Sequence, residues 1–329
     1  MKHTKALLLA LLLILLCGCG KKEAAETIYA MDTVMELTVW GPGAEKQAQA
    51  AADRIQELEE TLSVTRSDSE VARLNAGETV MLSEDMAALL EQSLTLRNET
   101  GGALDPTIYP LVKLWGFTTG EYRVPTEAEI AETLAQVRAG TLELEDGTAT
   151  AHGLELDFGA VAKGYAGAVL ARELKEAGVK SALLTLGGNV QTVGLKPDGS
   201  QWRIGVRDPW GAEGIYLGVL TVGETAVVTS GGYQRYFEED GTRYCHILDP
   251  TTGYPAASGL ASVTIVAEDG FLADGLSTAL YVMGLEKASD FWRNRGGFEA
   301  VLVTDDGTIF VTAGLRDCFA CREFQVIER

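Results

Sequence analysis

From Val34 to Trp40 (VMELTVW) apolar and polar residues alternate, the period of a strand with one buried face. The period then changes. Between Ala44 and Leu62 the apolar residues recur at helical spacing, with Ile55, Leu58 and Leu62 on one stripe, which predicts an amphipathic helix. Ser83 followed by Glu84, Asp85 and Met86 predicts a second helix, with a serine cap and an acidic first turn. Thr126 with Glu129 three residues on is a capping-box signature and opens a third. Leu154 to Phe158 reads as a short strand feeding GAVAKGYAGAVLARELKEAG, a helix of about five turns ended by Gly178.

Past Ser181 the pattern becomes short β-like runs between glycines: ALLTL, NVQTVGL, WRIGV, IYLGVL, AVVTS and RYCHIL. Val263 to Ala267 adds a strand and Phe271 to Met283 a helix. Glu299–Thr304 and Thr308–Thr312 flank Asp305-Asp306-Gly307, a hairpin signal. Strands and helices come in blocks and do not alternate as βαβ, so the expected class is α+β with largely antiparallel sheets. No linker rich in proline, serine or charge interrupts the chain. Residues 27–329 are expected to form one compact unit.

The first residues differ in character. Lys2 and Lys5 precede a short apolar run, Ala6 to Leu16, which is too short to span a bilayer comfortably and reads as a signal-peptide core over residues 1–18. Leu16-Cys17-Gly18-Cys19 resembles the lipobox of bacterial lipoproteins. That makes Cys19 the expected lipidated residue, with residues 19–26 as a tether and the folded part exported and membrane-anchored. Cys17 fits less well, because Leu16 and not a small residue precedes it. An ordinary secretory signal with incidental cysteines is the other reading. Cys318 and Cys321 form a lone C-x-x-C with no second pair to complete a zinc site, and no role is assigned to them.

Charge narrows the function classes. With 47 acidic against 27 basic residues the net charge is −20, so a nucleic acid would be repelled. A phosphorylated ligand would need a local cation, a lysine or helix N–H groups. The P-loop, the Rossmann fingerprint, the G-x-S-x-G elbow and H-E-x-x-H are all absent.

Three local patterns carry candidate chemistry. Asp157-Phe-Gly159-Ala160-Val161-Ala162-Lys163-Gly164 lies where a strand is expected to meet a helix. Small residues there admit a ligand, and Lys163 reads either as a phosphate partner or as a solvated surface residue. Asp274 and Thr278 are one turn apart on one helical face, an oxygen pair that suits Mg²⁺; the other reading is a first-turn charge and helix filler. Of the three histidines, His3 is in the leader and His152 in a turn-like stretch. His246, in CHILDPTTG, stands where a strand runs into an Asp-Pro turn.

The order of the motifs says more than any one of them. Met31-Asp32-Thr33, LSVTRSDSEVARLN, TGGALDPTIYPL, LDFGAVAKGYA, LGGNV, TSGGYQRY, HILDPTTGYP and ADGLSTALYVMG follow one another as in the ApbE family, which the chain resembles from about Met31 to its C-terminus. Members of that family are extracytoplasmic FAD:protein FMN transferases. The resemblance implies Mg²⁺-dependent transfer of FMN from FAD to a Thr or Ser hydroxyl of an acceptor protein, forming a phosphoester and releasing AMP. It implies metal binding by the side chains of Asp274 and Thr278 and the carbonyl of Ala160. Met31, Ala103, Leu104, Asp105, Asp157, Lys163, His246 and Ile247 would line the FAD site. His246 is the candidate general base, its alternative being a structural contact to flavin or phosphate. The implied acceptors are membrane redox proteins, such as subunits of sodium-pumping quinone reductases and Rnf complexes, or other extracytoplasmic flavoproteins.

This chain departs from the family pattern in places. Thr65 stands where an aromatic residue is common, DFGAVAKGYA replaces a more glycine-rich DLGGIAKGYA, and Cys245 precedes His246. An FAD pyrophosphatase would need the same contacts and would release AMP without an acceptor. A non-catalytic flavin-binding lipoprotein would need no base beside a metal. A solute-binding lipoprotein would show two lobes of alternating βα units.

Overall fold

The computed structural model describes residues 23–212 and 214–329. Cys19, the signal-peptide residues and the start of the expected tether lie outside them. Strands β1 (Glu23–Ala30) and β2 (Thr33–Trp40) form a hairpin. Residues 23–26, expected in the tether, are therefore part of an edge strand. Glu26 interrupts the apolar alternation and hides it from the sequence, while Ala24 and Ile28 pack on the core. The hairpin loop, Met31-Asp32, has φ of 49° and 58°, the left-handed pair that matches strand twist. Glu59 steadies this costly turn, its Oε1 accepting the Met31 N–H at 2.7 Å.

Helix α1 (Ala44–Leu62) has the predicted bounds and buries Ile55, Leu58 and Leu62. Next come α2 (Glu70–Asn75), β3 (Thr79–Met81) and α3 (Glu84–Glu99), the last capped by Ser83 Oγ on the Met86 N–H. Helices α4 (Tyr109–Leu114) and α5 (Glu127–Ala139) follow, α5 with the predicted capping box. Strands β4 (Thr141–Glu145) and β5 (Thr148–His152) join β3 in a small sheet.

The strand expected at residues 154–158 does not form; a single bridge, Glu155 to Ile108, stands there. Its backbone is satisfied elsewhere. Asn75 takes both polar groups of Leu156, at 2.7 and 2.8 Å, and the Asp157 N–H donates to the Pro106 carbonyl at 2.8 Å. A turn at Phe158 then leads into α6 (Ala162–Glu176), which starts later than the sequence suggests.

The second half supplies β6 (Ser181–Leu186), β7 (Asn189–Gly194), β8 (Trp202–Arg207), β9 (Tyr216–Val222) and β10 (Ala226–Gly231). A hairpin of β11 (Tyr236–Glu239) and β12 (Thr242–Cys245) follows, then β13 (Leu260–Ala267). The predicted strand RYCHIL thus stops at Cys245, and His246 lies just beyond it. Helix α7 (Gly270–Arg295) runs past the predicted end by kinking at Gly284, where φ is 77° and ψ 171°. The chain closes with β14 (Glu299–Thr304), β15 (Ile309–Thr312), β16 (Phe319–Cys321) and β17 (Gln325–Ile327).

One nine-stranded sheet, ordered β1-β2-β6-β7-β10-β13-β14-β15-β17, organises the molecule; all its pairs are antiparallel except β15–β17. Around β14 it is buried on both faces, so that strand reads as a continuous apolar run. Ala300 and Leu302 join the core shared with α1, α6 and α7, while Val301 and Val303 join a second core under the β16-β9-β8 sheet. Trp115, Phe117 and Leu248 belong to a third cluster, against which Phe237 and Tyr244 of the β11–β12 hairpin pack. No helix among the described residues is long and apolar enough to cross a membrane.

Candidate active site

The crossing of α6 over α7 depends on two glycines. A Cβ on Gly164 would lie 2.2 Å from the Gly270 carbonyl oxygen and 2.4 Å from Asp274 Cβ; one on Gly270 would lie 2.6 Å from the Gly164 oxygen. This close approach lets the Gly164 N–H donate to Asp274 Oδ2 at 2.8 Å. The side chain is 5% exposed, and burial pushes its carboxyl above the usual range, against the pull of Lys163 and of that N–H. Thr278, one turn on, has its Oγ1 3.3 Å from Ser230 Oγ, which also meets Ser277 Oγ at 2.7 Å.

The approach to α6 supplies the facing wall. Asp157 Oδ1 accepts the Gly159 N–H at 2.7 Å; burial raises this carboxyl, while the same N–H and the charges of Lys163 and Arg235 hold it down. Asp105 is tied into its own loop. Its Oδ1 accepts the Thr107 N–H and hydroxyl at 2.9 and 2.7 Å, and its Oδ2 pairs with Arg97 Nε at 2.7 Å.

His246 is held from one side. Its main-chain N–H and its Nδ1 both lie 3.0 Å from the Arg235 carbonyl oxygen. A carbonyl only accepts, so Nδ1 carries the ring proton and Nε2 keeps its lone pair. Burial lowers the imidazole pKa to about 4, helped by the nearby charges of Arg235 and Lys163, so the ring is neutral at pH 7. The neighbouring Cys245 thiol is buried, free and pushed up by that burial.

These groups meet in one cavity of about 360 Å³. Asp157, Ala160 and Lys163 line it from the α6 side, Asp274 and Thr278 from α7. Met31, Ala103, Leu104, Asp105, His246 and Ile247 come from the surrounding turns. A smaller cavity of about 190 Å³, lined by Glu59, Val64 and Thr65, shares Met31, Phe117, Asp157 and Lys163 with it. Arg235 lines both and was not singled out from the sequence. Its only signal was its place in TSGGYQRY, and the hairpin it leads into went unpredicted.

The described residues contain no group of three His, Cys, Asp or Glu side chains able to hold a metal. An ion beside Asp274 would therefore rest on one carboxylate, a hydroxyl and a main-chain carbonyl, and would take the rest of its shell from ligand and water. That donor set fits Mg²⁺ and does not fit zinc. The buried Asp274 carboxylate, with a lysine as its one named cationic neighbour, suits such an ion.

The comparisons with known proteins agree with one another. Residues 31–302 match the family model described as the ApbE family. An FAD:protein FMN transferase of Treponema pallidum is 32% identical, over 94% of this chain and 94% of that protein. One from Klebsiella pneumoniae is 36% identical over 85% and 91%. The crystal structure of the ApbE protein from Thermotoga maritima superposes with a TM-score of 0.81 at 33% identity, covering 88% of this chain and 96% of that one. The apo flavinyl transferase ApbE of Pseudomonas stutzeri gives 0.79 at 33%, over 91% and 97%.

Proposed function

The chain belongs to the ApbE family, and from that premise we infer that it is an FAD:protein FMN transferase. The observation that carries the reading is the cavity at the α6–α7 crossing, where a neutral histidine, a lysine and a buried Asp–Thr pair face one space. FAD is the donor substrate. The acceptor group is a Thr or Ser hydroxyl, which is nearly neutral at pH 7 and needs a base as it attacks. The hydroxyl oxygen bonds to the FMN phosphorus, and the bond to the oxygen of the AMP phosphate breaks. The hydroxyl proton goes to His246 Nε2. The products are a phosphoester on the acceptor and AMP.

Besides Asp105, which is paired with Arg97, three carboxylates, Asp32, Asp157 and Asp274, line the larger cavity against two cations, Lys163 and Arg235. An anionic pyrophosphate is poorly matched to that balance unless a further cation is present. This supports Mg²⁺ on Asp274, Thr278 and the Ala160 carbonyl, where it would stabilise charge developing on phosphate oxygens. Lys163, in the first turn of α6, adds a positive charge to the same wall.

The same reading makes the enzyme an exported lipoprotein anchored through Cys19. It acts on extracytoplasmic domains of membrane redox proteins, with Rnf and quinone-reductase subunits as the expected type. Leu16-Cys17-Gly18-Cys19 and the apolar run before it support this.

The test is a denaturing gel. The chain is incubated with FAD, Mg²⁺ and a small acceptor domain carrying a flavinylation motif. Covalent flavin fluorescence on the acceptor, lost with EDTA, is expected. AMP without labelled acceptor would mean hydrolysis, and neither product would leave a flavin binder.

A further inference from the structure

Arg235 precedes β11 directly and lines both cavities, as Lys163 does. Arg97, by contrast, is closed into an ion pair with Asp105, which lines the larger cavity. Among the described residues, neither Lys163 nor Arg235 has a carboxylate within 4.0 Å. One guanidinium nitrogen of Arg235 donates to the Phe117 carbonyl, which braces the side chain and leaves other N–H groups of the fork unused. The two cavities share a wall that carries Lys163 and Arg235 beside Asp32 and Asp157, and a ligand with two ring systems and an anionic linker would set its linker against these two cations.

We propose that Arg235 binds the pyrophosphate of FAD at the wall the two cavities share, beside Lys163. The residue also holds His246 through its main-chain carbonyl. Substrate charge and base orientation are therefore linked through a single residue. A guanidinium suits this position because its planar fork can brace on Phe117 and still present N–H groups to phosphate oxygens. The inference rests on the FMN-transferase reading and adds a substrate contact to it.

The test uses the full chain, with FAD as the probe, in Arg235→Gln and Arg235→Lys variants. Glutamine keeps an N–H donor for Phe117 and removes the charge; lysine keeps the charge. Flavin fluorescence titrations at several salt concentrations give affinity and its ionic dependence, and thermal melts check the fold. Arg235→Gln is expected to weaken FAD binding roughly 10- to 100-fold and to flatten its salt dependence, with the melting temperature unchanged. Arg235→Lys is expected to retain the wild-type salt dependence. Two results would overturn the proposal. One is Arg235→Gln binding FAD within about two-fold of wild type; the other is weakened binding with the salt dependence intact, which would make Arg235 a brace for Phe117 only. A wild-type chain that neither binds FAD nor transfers FMN would sink the transferase reading itself. A wild-type chain that does both while Arg235→Gln matches it would sink this assignment alone.

Discussion

Both faces of the nine-stranded sheet bury an apolar core, but only one of them also carries buried polar groups beside a cavity. Behind it, Val301, Val303 and Ile309 pack against Trp202, Leu220 and Phe319 in a core of apolar side chains. In front, α7 brings Ser277 and Thr278 against Ser230 and Asp274 against the Gly164 N–H of α6, beside a cavity. A buried carboxylate costs stability unless something completes its interactions. The rear face is what stabilisation alone produces; the front face is arranged for a ligand that supplies what the chain lacks. Sheet and helices are shared, so the contrast lies in what each face leaves unfinished.

The sharpest way to break the comparison is Asp274→Asn. It keeps an oxygen for the Gly164 N–H and removes the charge, so transfer should fall by roughly 1000-fold while the melting temperature holds or rises. Transfer within ten-fold of wild type, measured with saturating FAD and Mg²⁺, would remove Asp274 from the reaction. Gly164→Ala comes next, because its Cβ must displace Gly270 or Asp274. A loss of roughly 100-fold in turnover is expected, together with about 1–3 kcal/mol of stability, read by kinetics and denaturant melts. Normal turnover would show that the crossing tolerates movement.

Phe319→Ala tests the rear face. It should cost about 3–5 kcal/mol in denaturant melts yet leave kcat per folded molecule unchanged; a fall in kcat would couple the faces. The pH dependence of His246 is a subtler effect. Its folded pKa of about 4 lies below the unfolded value near 6.5. The folded chain therefore binds fewer protons between those values. Stability from the neutral ring is complete above pH 6.5 and is lost as pH falls toward 4. Turnover should rise through about pH 4 and stay level across 6.5; an inflection near 6.5 would place the working base elsewhere. The smallest effect belongs to Thr65→Tyr in the smaller cavity, where a stacked ring should tighten FAD roughly 2- to 10-fold by titration.

What the sequence conveyed depended on how local each signal was. Helix α1, the Ser83 cap and the Thr126–Glu129 capping box are decided within a few residues, and all three appear as read. Strand β1 escaped because Glu26 breaks its alternation, and residues 154–158 misled because Asn75, distant in sequence, takes the backbone bonds a strand would have made. The site divides the same way. Spacing put Asp274 and Thr278 on one helical face, but it left Lys163 undecided between ligand and surface. Their meeting depends on Gly164 against Gly270, a contact across more than a hundred residues. Arg235 carries no local mark beyond its place in TSGGYQRY; the hairpin that follows it and the carbonyl it offers His246 bring it into the site.

The most direct measurement is intact mass spectrometry of the acceptor domain after incubation with the chain, FAD and Mg²⁺, with AMP quantified in parallel. The account predicts an acceptor heavier by one FMN less water, localised to a Thr or Ser, and one AMP released for each FMN attached. AMP accumulating while the acceptor mass stays unchanged would contradict it.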